Sequence, residues 1–238
     1  QLYDKGLIYE SYRVMPYSWG AETVLSNFET RLDNATREKE DKAITVAFEL
    51  LEKPKGAPDA EKYYLLAWTT TPWTLPSNQA LAVHPTMPYS CITKDGNCYV
   101  IASSSLKLVE KELAVDPEKT PEVISGEALL AKHYKPLFPY FNDHSDSFRI
   151  LDGSSFIEQG SGTGVVHMAP GFGEDDQRVC QMNGIELVCP VDEKGRYTDE
   201  IYDLPYEIRS PLAGEHNALR RIGGGKTEFA TQMAQERS

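Results

Sequence analysis

The side chains best suited to chemistry stand in the stretch Gly160–Asp176, which combines glycines, one histidine and three carboxylates. The pair Val165-Val166 favours a strand that leads to His167, and Pro170-Gly171 is expected to end that strand. The acids Glu174–Asp176 follow where a helix can begin, at its positive end. The pattern predicts that the histidine and the carboxylates frame one turn at a strand end, a place where loops often carry function.

A second stretch, Thr69–Asn78, places three consecutive threonines beside a proline and a tryptophan. The hydroxyls of Thr69–Thr71 offer donors and acceptors side by side, and Trp73 offers a flat apolar face. Each feature also has a purely structural interpretation. Threonine is a good strand former, His167 could be a hydrogen-bonded core residue, and the acids could form a solvated first helical turn.

Other chemistries find less support in the sequence. The five histidines are scattered without the spacing of a metal site, so no metal is expected. Gly160-Ser161-Gly162 is not the elbow of a serine hydrolase. Gly223-Gly224-Gly225-Lys226-Thr227 ends like a phosphate-binding loop, but Arg220 stands where that motif needs its first glycine.

Composition describes an ordinary soluble globular protein of 238 residues with a formal net charge of −12. This charge argues against a general nucleic-acid-binding surface, which is usually basic, but it leaves room for a local contact with one RNA end. No apolar run is long enough to span a membrane, and the N-terminus has no signal-peptide pattern. The four cysteines fit no metal spacing, and we expect reduced thiols in a cytoplasmic protein.

The predicted elements are mostly strands. Asp95-Gly96 between two apolar runs indicates a β-hairpin, 103–113 has the spacing of an amphipathic helix, and 174–183 should be a helix that ends at Gly184. Further short strands are expected at 43–51, 63–71, 123–124, 148–151 and 187–191. We therefore predict a β-rich α/β fold with a closed or nearly closed β-barrel core and helices packed outside it.

Two motifs together resemble a known family. The segment Trp68–Asn78 looks like the threonine-rich peptide in the editing domains of isoleucyl-tRNA synthetases, and Gly162–Asp176 resembles the second editing motif of that family. The valyl and leucyl relatives usually carry arginine at the position of Thr71 and an acid at that of Trp73, so the isoleucyl branch is favoured. The segment from Gly6 to Glu29 is similar to the eukaryotic-type lead-in to such a domain.

The resemblance implies three parts: a lead-in from the synthetase body at 1–31, an editing domain at 32–205, and a C-terminal segment of the insertion at 206–238. The His-Ile-Gly-His and Lys-Met-Ser-Lys-Ser signatures of amino-acid activation are absent. The chain is therefore not expected to aminoacylate tRNA by itself. ATP and Mg²⁺ would belong to the missing catalytic domain, and editing would need no cofactor.

The implied activity is hydrolysis of valine from mischarged Val-tRNA(Ile), with valyl-adenylate as a further candidate substrate. A pocket for isoleucine rejects valine poorly, because one methylene is worth only about 1–3 kcal/mol, an established value for this pair and not one derived from this chain. By resemblance, Asp176 binds the substrate ammonium group, His167 lines the amino-acid pocket and limits side-chain size, and Thr70 acts with them in catalysis.

The remaining expected substrate contacts are Thr69, Thr71, Trp73 and Asn78, with a positioned water as the nucleophile. The expected partners are the 3′-end of tRNA(Ile) carrying valine and the rest of the synthetase, with no membrane and a monomeric fragment. Two alternatives stay open: a non-catalytic module that binds the tRNA acceptor end, and an editing domain of the valyl or leucyl relatives.

Overall fold

The computed structural model describes residues 1–35, 43–115 and 120–202. Within these ranges the chain forms two β-sheets, a small separate hairpin and one α-helix. The strands are β1 (Tyr17–Ser18), β2 (Thr23–Val24), β3 (Ile44–Leu50), β4 (Lys62–Thr69), β5 (Ala80–Val83), β6 (Pro88–Lys94), β7 (Asn97–Ala102), β8 (Glu122–Ser125), β9 (Arg149–Asp152) and β10 (Val165–Met168). The helix α1 is Glu174–Met182, and 3₁₀ turns cover Glu29–Arg31, Pro72–Ser77, Ser103–Leu108 and Gly126–Ala128.

The larger sheet has five strands in the order β3-β4-β7-β6-β8. Its β6–β7 hairpin confirms the turn predicted at Asp95-Gly96. Both turn residues have positive φ, +50° and +78°, as the tight hairpin turn requires. The pairing of β4 with β7 is parallel, whereas the other neighbours in this sheet are antiparallel.

The smaller sheet has the order β10-β5-β9, with β5 at its centre. Every residue of β5 is fully buried. The strand pairs with β10 in antiparallel register, which places His167 opposite Leu81, and it pairs with β9 in parallel register. The main core contains buried side chains from both sheets, so the two sheets cover one another's apolar faces.

The predicted closed or nearly closed barrel is wrong. The sheets stay separate in the described part of the chain, and around His133 and Tyr134 they are joined only by single bridges, Leu50↔Tyr134 and His133↔Arg149. A barrel needs a continuous ladder of hydrogen bonds around its circumference. Here the chain leaves the first sheet after β4, at Pro72, and forms β5 in the second sheet.

The predicted outer layer of helices is also wrong, because α1 is the single α-helix in the described ranges. The segment 103–113 begins as a 3₁₀ turn at Ser103–Leu108, and consecutive serines compete with helical backbone hydrogen bonds. No strand forms at 187–191, where Val191 makes one isolated bridge with Tyr197. The helix at 174–183 is confirmed, and Gly184, at φ +74°, follows its end.

The lead-in segment 1–31 carries the hairpin β1–β2 and reaches the rest of the structure through a few hydrogen bonds. The backbone NH of Val14 donates to Gln177 Oε1 over 3.2 Å, and the hydroxyl of Tyr17 donates to the carbonyl of Glu193 over 3.0 Å. Residues 206–238 lie outside the described residues. The boundaries at 31/32 and 205/206 stay predictions. None of the helices in the described ranges could cross a membrane.

Candidate functional site

The two stretches that the sequence singled out meet at one cavity of about 340 Å³. The C-terminal end of β4 brings the threonines, and β10 together with the turn into α1 brings the histidine and the carboxylate. The cavity is lined by Trp68, Thr69, Thr70, Thr71, Trp73, Thr74, Ser161, Gly162, Thr163, Val165, Val166, His167, Ala169, Phe172 and Asp176.

The threonine triplet forms a tight turn at the cavity wall. Thr69 is buried, and its Oγ1 accepts a hydrogen bond from the backbone NH of Thr71 over 3.1 Å. The hydroxyl oxygens of these two residues lie 3.3 Å apart. Pro72 then starts a 3₁₀ turn at a position where a backbone NH is not needed. Thr70 and Thr71 are exposed, so their side chains are accessible to a molecule in the cavity.

His167 is buried, and both of its ring nitrogens are hydrogen-bonded inside the protein. Asn78 Nδ2 lies 2.8 Å from His167 Nδ1 and 2.9 Å from the carbonyl of Ala80, while Asn78 Oδ1 accepts from the hydroxyl of Tyr134 over 2.6 Å. The Ala80 carbonyl only accepts, so the amide nitrogen must face it. Asn78 therefore donates to His167 Nδ1, which leaves the ring proton on Nε2.

The hydrogen bonds around the other ring nitrogen, Nε2, also place the proton there. His167 Nε2 lies 2.8 Å from Thr74 Oγ1, and the Thr74 hydroxyl donates to the carbonyl of Thr71 over 2.9 Å. Thr74 has one proton and uses it for that carbonyl, so it accepts from the Nε2–H of His167. Both nitrogens of the imidazole are thus engaged within the protein, and His167 lines the cavity without a free nitrogen.

Burial lowers the pKa of His167 from 6.5 to about 4, because charging the ring in the interior would cost its hydration. At neutral pH the ring is uncharged. Since both nitrogens are occupied, His167 has no site for the proton of an attacking water. This arrangement fits a wall that shapes the pocket and does not fit a general base.

Asp176 supplies the carboxylate of the cavity. It stands in the first turn of α1, and its Oδ2 accepts a hydrogen bond from the backbone NH of Ala169 over 2.9 Å. Burial, with a smaller contribution from the neighbouring Asp175, raises the pKa of Asp176 to about 6. In the described ranges no cationic side chain pairs with Asp176, whereas Asp175 pairs with Arg178 at 2.9 Å. The site therefore holds a partly desolvated anion suited to a cationic ligand group.

Aromatic rings and close backbone contacts form the remaining walls. Trp73 packs edge-on against Phe172 with ring centroids 5.0 Å apart. Gly162 lies against Trp68, where an added Cβ would come within 3.2 Å of the indole. Gly164, at φ +72°, lies close by in the same loop, and a Cβ there would stand 2.3 Å from the Cβ of Ala102. Glycine is therefore required where this loop crosses the end of β7.

The structure brings six of the seven predicted site residues to the cavity: Thr69, Thr70, Thr71, Trp73, His167 and Asp176. Asn78 is buried and does not line the cavity, but it contacts His167 through a hydrogen bond. Sequence reasoning missed Thr74 and Tyr134. Thr74 stood inside the quoted motif and could have been singled out, but Tyr134 comes from a segment with no signal of its own.

The described ranges contain no cluster of three or more histidine, cysteine, aspartate or glutamate side chains that could hold a metal ion. All four cysteines are free thiols, and three of them, Cys91, Cys98 and Cys180, are buried. The cavity offers hydroxyls, one carboxylate and aromatic faces.

Comparison with known proteins identifies the family. The family model "tRNA synthetases class I (I, L, M and V)" matches residues 1–216. The chain belongs to the class I tRNA synthetases. It is 55% identical to an isoleucine–tRNA ligase of Rickettsia felis over 216 residues, and 57% identical to that of Rickettsia conorii over 205 residues. Each match covers 86% of this chain and about a fifth of the relative, 20% and 19% respectively.

These relatives confirm the resemblance to isoleucyl-tRNA synthetases. They are rickettsial proteins and give no support to the eukaryotic-type lead-in. Among solved structures, GlLeuRS-CP1 is similar at a TM-score of 0.47 and 20% identity, covering 82% of this chain and 83% of that one. The P. knowlesi cytosolic leucyl-tRNA synthetase editing domain has a TM-score of 0.45 and 16% identity, covering 60% of this chain and 63% of that one. The family assignment rests on the sequence matches and not on these structures.

Proposed function

We propose that this synthetase segment is an editing domain that hydrolyses the ester bond of valine on mischarged tRNA(Ile). The observation that carries the proposal is the meeting of Asp176, the Thr69–Thr71 turn and His167 at one cavity. An aminoacyl ester presents an ammonium group, an aliphatic side chain and a carbonyl carbon. The cavity offers a complementary group for each of the three.

In the proposed complex, Asp176 binds the ammonium group. The carboxylate accepts a hydrogen bond from the backbone NH of Ala169, and with about four acceptor sites it has capacity for further donors from an ammonium ion. Binding a cation also relieves the cost of keeping the carboxylate ionised in a partly buried place. The ammonium group is therefore expected to lower the pKa of Asp176 from its raised value.

The substrate side chain then lies against His167, whose two ring nitrogens are both hydrogen-bonded within the protein. Because those nitrogens already have partners, an aliphatic group can pack against the ring without leaving its polar atoms unpaired. Valine fits the proposed space, and the extra methylene of isoleucine is rejected by overlap with a ring that its hydrogen bonds hold in place. Selectivity would thus come from exclusion of the larger side chain.

The proposed reaction is attack by a water on the ester carbonyl, with cleavage of the bond to the terminal adenosine oxygen. The products are free valine and tRNA with a restored hydroxyl. The Thr70 and Thr71 hydroxyls orient the water and the ester, and the rate enhancement comes mainly from positioning. No protein nucleophile, ATP or metal is needed in this scheme. The partners are the tRNA acceptor end and the rest of a synthetase.

Binding of a non-hydrolysable valyl-adenosine analogue tests the proposal, with adenosine as the control. We expect calorimetry to detect the analogue with the 238-residue chain and much weaker binding with Asp176→Asn. A non-catalytic acceptor-end module would instead bind adenosine and valyl-adenosine equally well and would be indifferent to Asp176→Asn. That result would contradict the editing proposal.

A further inference from the structure

The 3₁₀ turn Pro72–Ser77, which carries Trp73 and Thr74 to the cavity wall, contains a second proline, Pro76. In a 3₁₀ turn each carbonyl accepts a hydrogen bond from the NH three residues later. The partner of the Trp73 carbonyl would therefore be the NH of residue 76, and proline has none. The sequence thus leaves the carbonyl of a cavity residue without the donor that this kind of turn provides.

A side chain from far along the chain supplies a donor in its place. The hydroxyl of Tyr197 donates a hydrogen bond to the carbonyl of Trp73 across 124 residues of sequence. Burial raises the pKa of Tyr197 above its ordinary value, so the hydroxyl keeps its proton at neutral pH. Because a backbone carbonyl withdrawn from water needs a donor, this bond fixes the backbone at Trp73.

The segment that carries Tyr197 is itself held in place. Asp192 Oδ1 accepts hydrogen bonds from the backbone NH of Lys194 and from that of Arg196, each over 2.9 Å. Tyr197 is buried and packs with Tyr140 in a small apolar cluster apart from the main core. The hydroxyl of Tyr197 is therefore presented to the 3₁₀ turn from a fixed position.

The same segment also contacts the turn that carries the second aromatic ring of the cavity, Phe172. A Cβ added at Gly171 would stand 2.4 Å from the carbonyl oxygen of Val188 and 2.9 Å from the Cβ of Cys189. Phe172 and Trp73 both line the cavity and pack edge-on, with ring centroids 5.0 Å apart. The segment after α1 therefore supports the backbone behind both rings.

We propose that Tyr197 is a positioning residue of the editing pocket, which holds the Trp73 wall of the cavity in the place against Phe172 that substrate binding requires. Tyr197 does not line the cavity and acts through the backbone of Trp73. The effect on substrate binding rests on the proposed function, whereas the effect on the Trp73 backbone does not. The two effects can therefore be measured separately.

The first test observes the hydrogen bond by NMR in chains labelled with ¹³C at the carbonyls of the three tryptophans. Tyr197→Phe should move the Trp73 carbonyl resonance upfield and leave that of Trp19 unchanged. The matched control is Tyr63→Phe, which removes a hydroxyl that also donates to a carbonyl, that of Pro58 over 2.9 Å, from a buried tyrosine outside the cavity. This control should leave the Trp73 resonance in place. An unmoved Trp73 carbonyl in Tyr197→Phe would overturn the proposal.

The second test is binding of the non-hydrolysable valyl-adenosine analogue, measured by calorimetry. We expect Tyr197→Phe to weaken binding by about five- to ten-fold, the factor of roughly one hydrogen bond, because binding must then restore the position of Trp73. Tyr63→Phe should bind like the unmodified chain, even where it loses as much stability in urea. Equal affinities of Tyr197→Phe and the unmodified chain would overturn the link between Tyr197 and the pocket.

Pro76→Ala offers a rescue, because it returns a backbone NH to the position from which a 3₁₀ turn bonds the Trp73 carbonyl. In the double variant with Tyr197→Phe, this NH should replace the hydroxyl and keep the affinity within about two-fold of that of Pro76→Ala alone. A general loss of stability would not be repaired at this position. An affinity of the double variant as low as that of Tyr197→Phe would therefore overturn the proposal.

If Tyr197→Phe does not fold, the unmodified chain decides. Its Tyr197 hydroxyl proton should exchange slowly with water and show a nuclear Overhauser contact to Trp73 or Thr74, and the absence of that contact would overturn the proposal. If the unmodified chain does not bind the analogue, the proposed function fails, and the carbonyl resonance alone decides whether Tyr197 holds Trp73.

Discussion

Replacing Asp176 by asparagine should stabilise the chain while it removes the proposed editing activity. The pKa of this carboxyl is about 6 in the folded protein against 3.8 ordinarily. The folded state therefore holds the proton more tightly than the unfolded state, and ionisation costs stability. Between pH 3.8 and about pH 6 this carboxyl is ionised in the unfolded chain but still protonated in the folded chain. The contribution of Asp176 to the free energy of unfolding therefore falls as pH rises, and the destabilisation is complete above pH 6.

A shift of this size corresponds to at most about 3 kcal/mol. Asp176 is partly solvated, and a charge in the first turn of a helix gains roughly 0.3–1 kcal/mol that asparagine forfeits. We therefore expect Asp176→Asn to be about 1–2 kcal/mol more stable at pH 7.5, or a few degrees in Tm. Asparagine can still accept the Ala169 NH through Oδ1, so the local fold should be kept.

The assay is urea unfolding of both proteins at pH 4 and pH 7.5, with Asp175→Asn as the control. Asp175 is exposed and pairs with Arg178, so its replacement should not stabilise the chain at either pH. The increase in the free energy of unfolding for Asp176→Asn should be present at pH 7.5 and nearly absent at pH 4. A gain that is independent of pH, or a loss of stability at pH 7.5, would refute the reasoning.

Four further outcomes are expected. As pH decreases below 6, the kcat/KM of the unmodified chain for Val-tRNA(Ile) should decrease more steeply than that of Asp176→Asn, because protonated Asp176 no longer attracts the substrate ammonium group. Parallel pH profiles for the two proteins would contradict this. The ring resonances of His167 should stay constant from pH 8 to 5 and begin to move near pH 4, and movement near 6.5 would show that the ring is accessible. Gly164→Ala should cost at least about 3 kcal/mol in urea unfolding, because it combines a positive φ with overlap at Ala102, whereas Gly160→Ala has open space and should cost less. Dialysis against EDTA should leave hydrolysis unchanged, and a loss restored by added Zn²⁺ or Mg²⁺ would contradict the metal-free scheme.

Local signals in the sequence were reliable where one or two residues determine the backbone. Asp95-Gly96 predicted the hairpin because its turn needs positive φ at both positions, and Gly184 predicted the end of α1 for the same reason. The threonine stretch and the Gly160–Asp176 stretch predicted which chain segments line the cavity. These features depend on neighbours in sequence, so a local pattern is enough to find them.

Features that depend on distant contacts were missed or wrong. The strand β5 (Ala80–Val83) is short and buried on both faces, so it has no alternation to reveal it. The prediction of a barrel was wrong because the number of strands does not say which strands pair. The strands divide between two larger sheets, each of which contains one parallel pair. Tyr134 contacts Asn78 across 56 residues, a contact that no local pattern in the sequence reveals.

The most direct test of the central claim is the release of amino acid from Val-tRNA(Ile) and Ile-tRNA(Ile) by the 238-residue chain. The proposed pocket predicts hydrolysis of the valyl ester above the spontaneous rate, little hydrolysis of the isoleucyl ester, and loss of valine release by about 10- to 100-fold in Asp176→Asn, as for a lost hydrogen bond to a charged group. Equal release of valine and isoleucine, or valine release that Asp176→Asn leaves intact, would contradict the account.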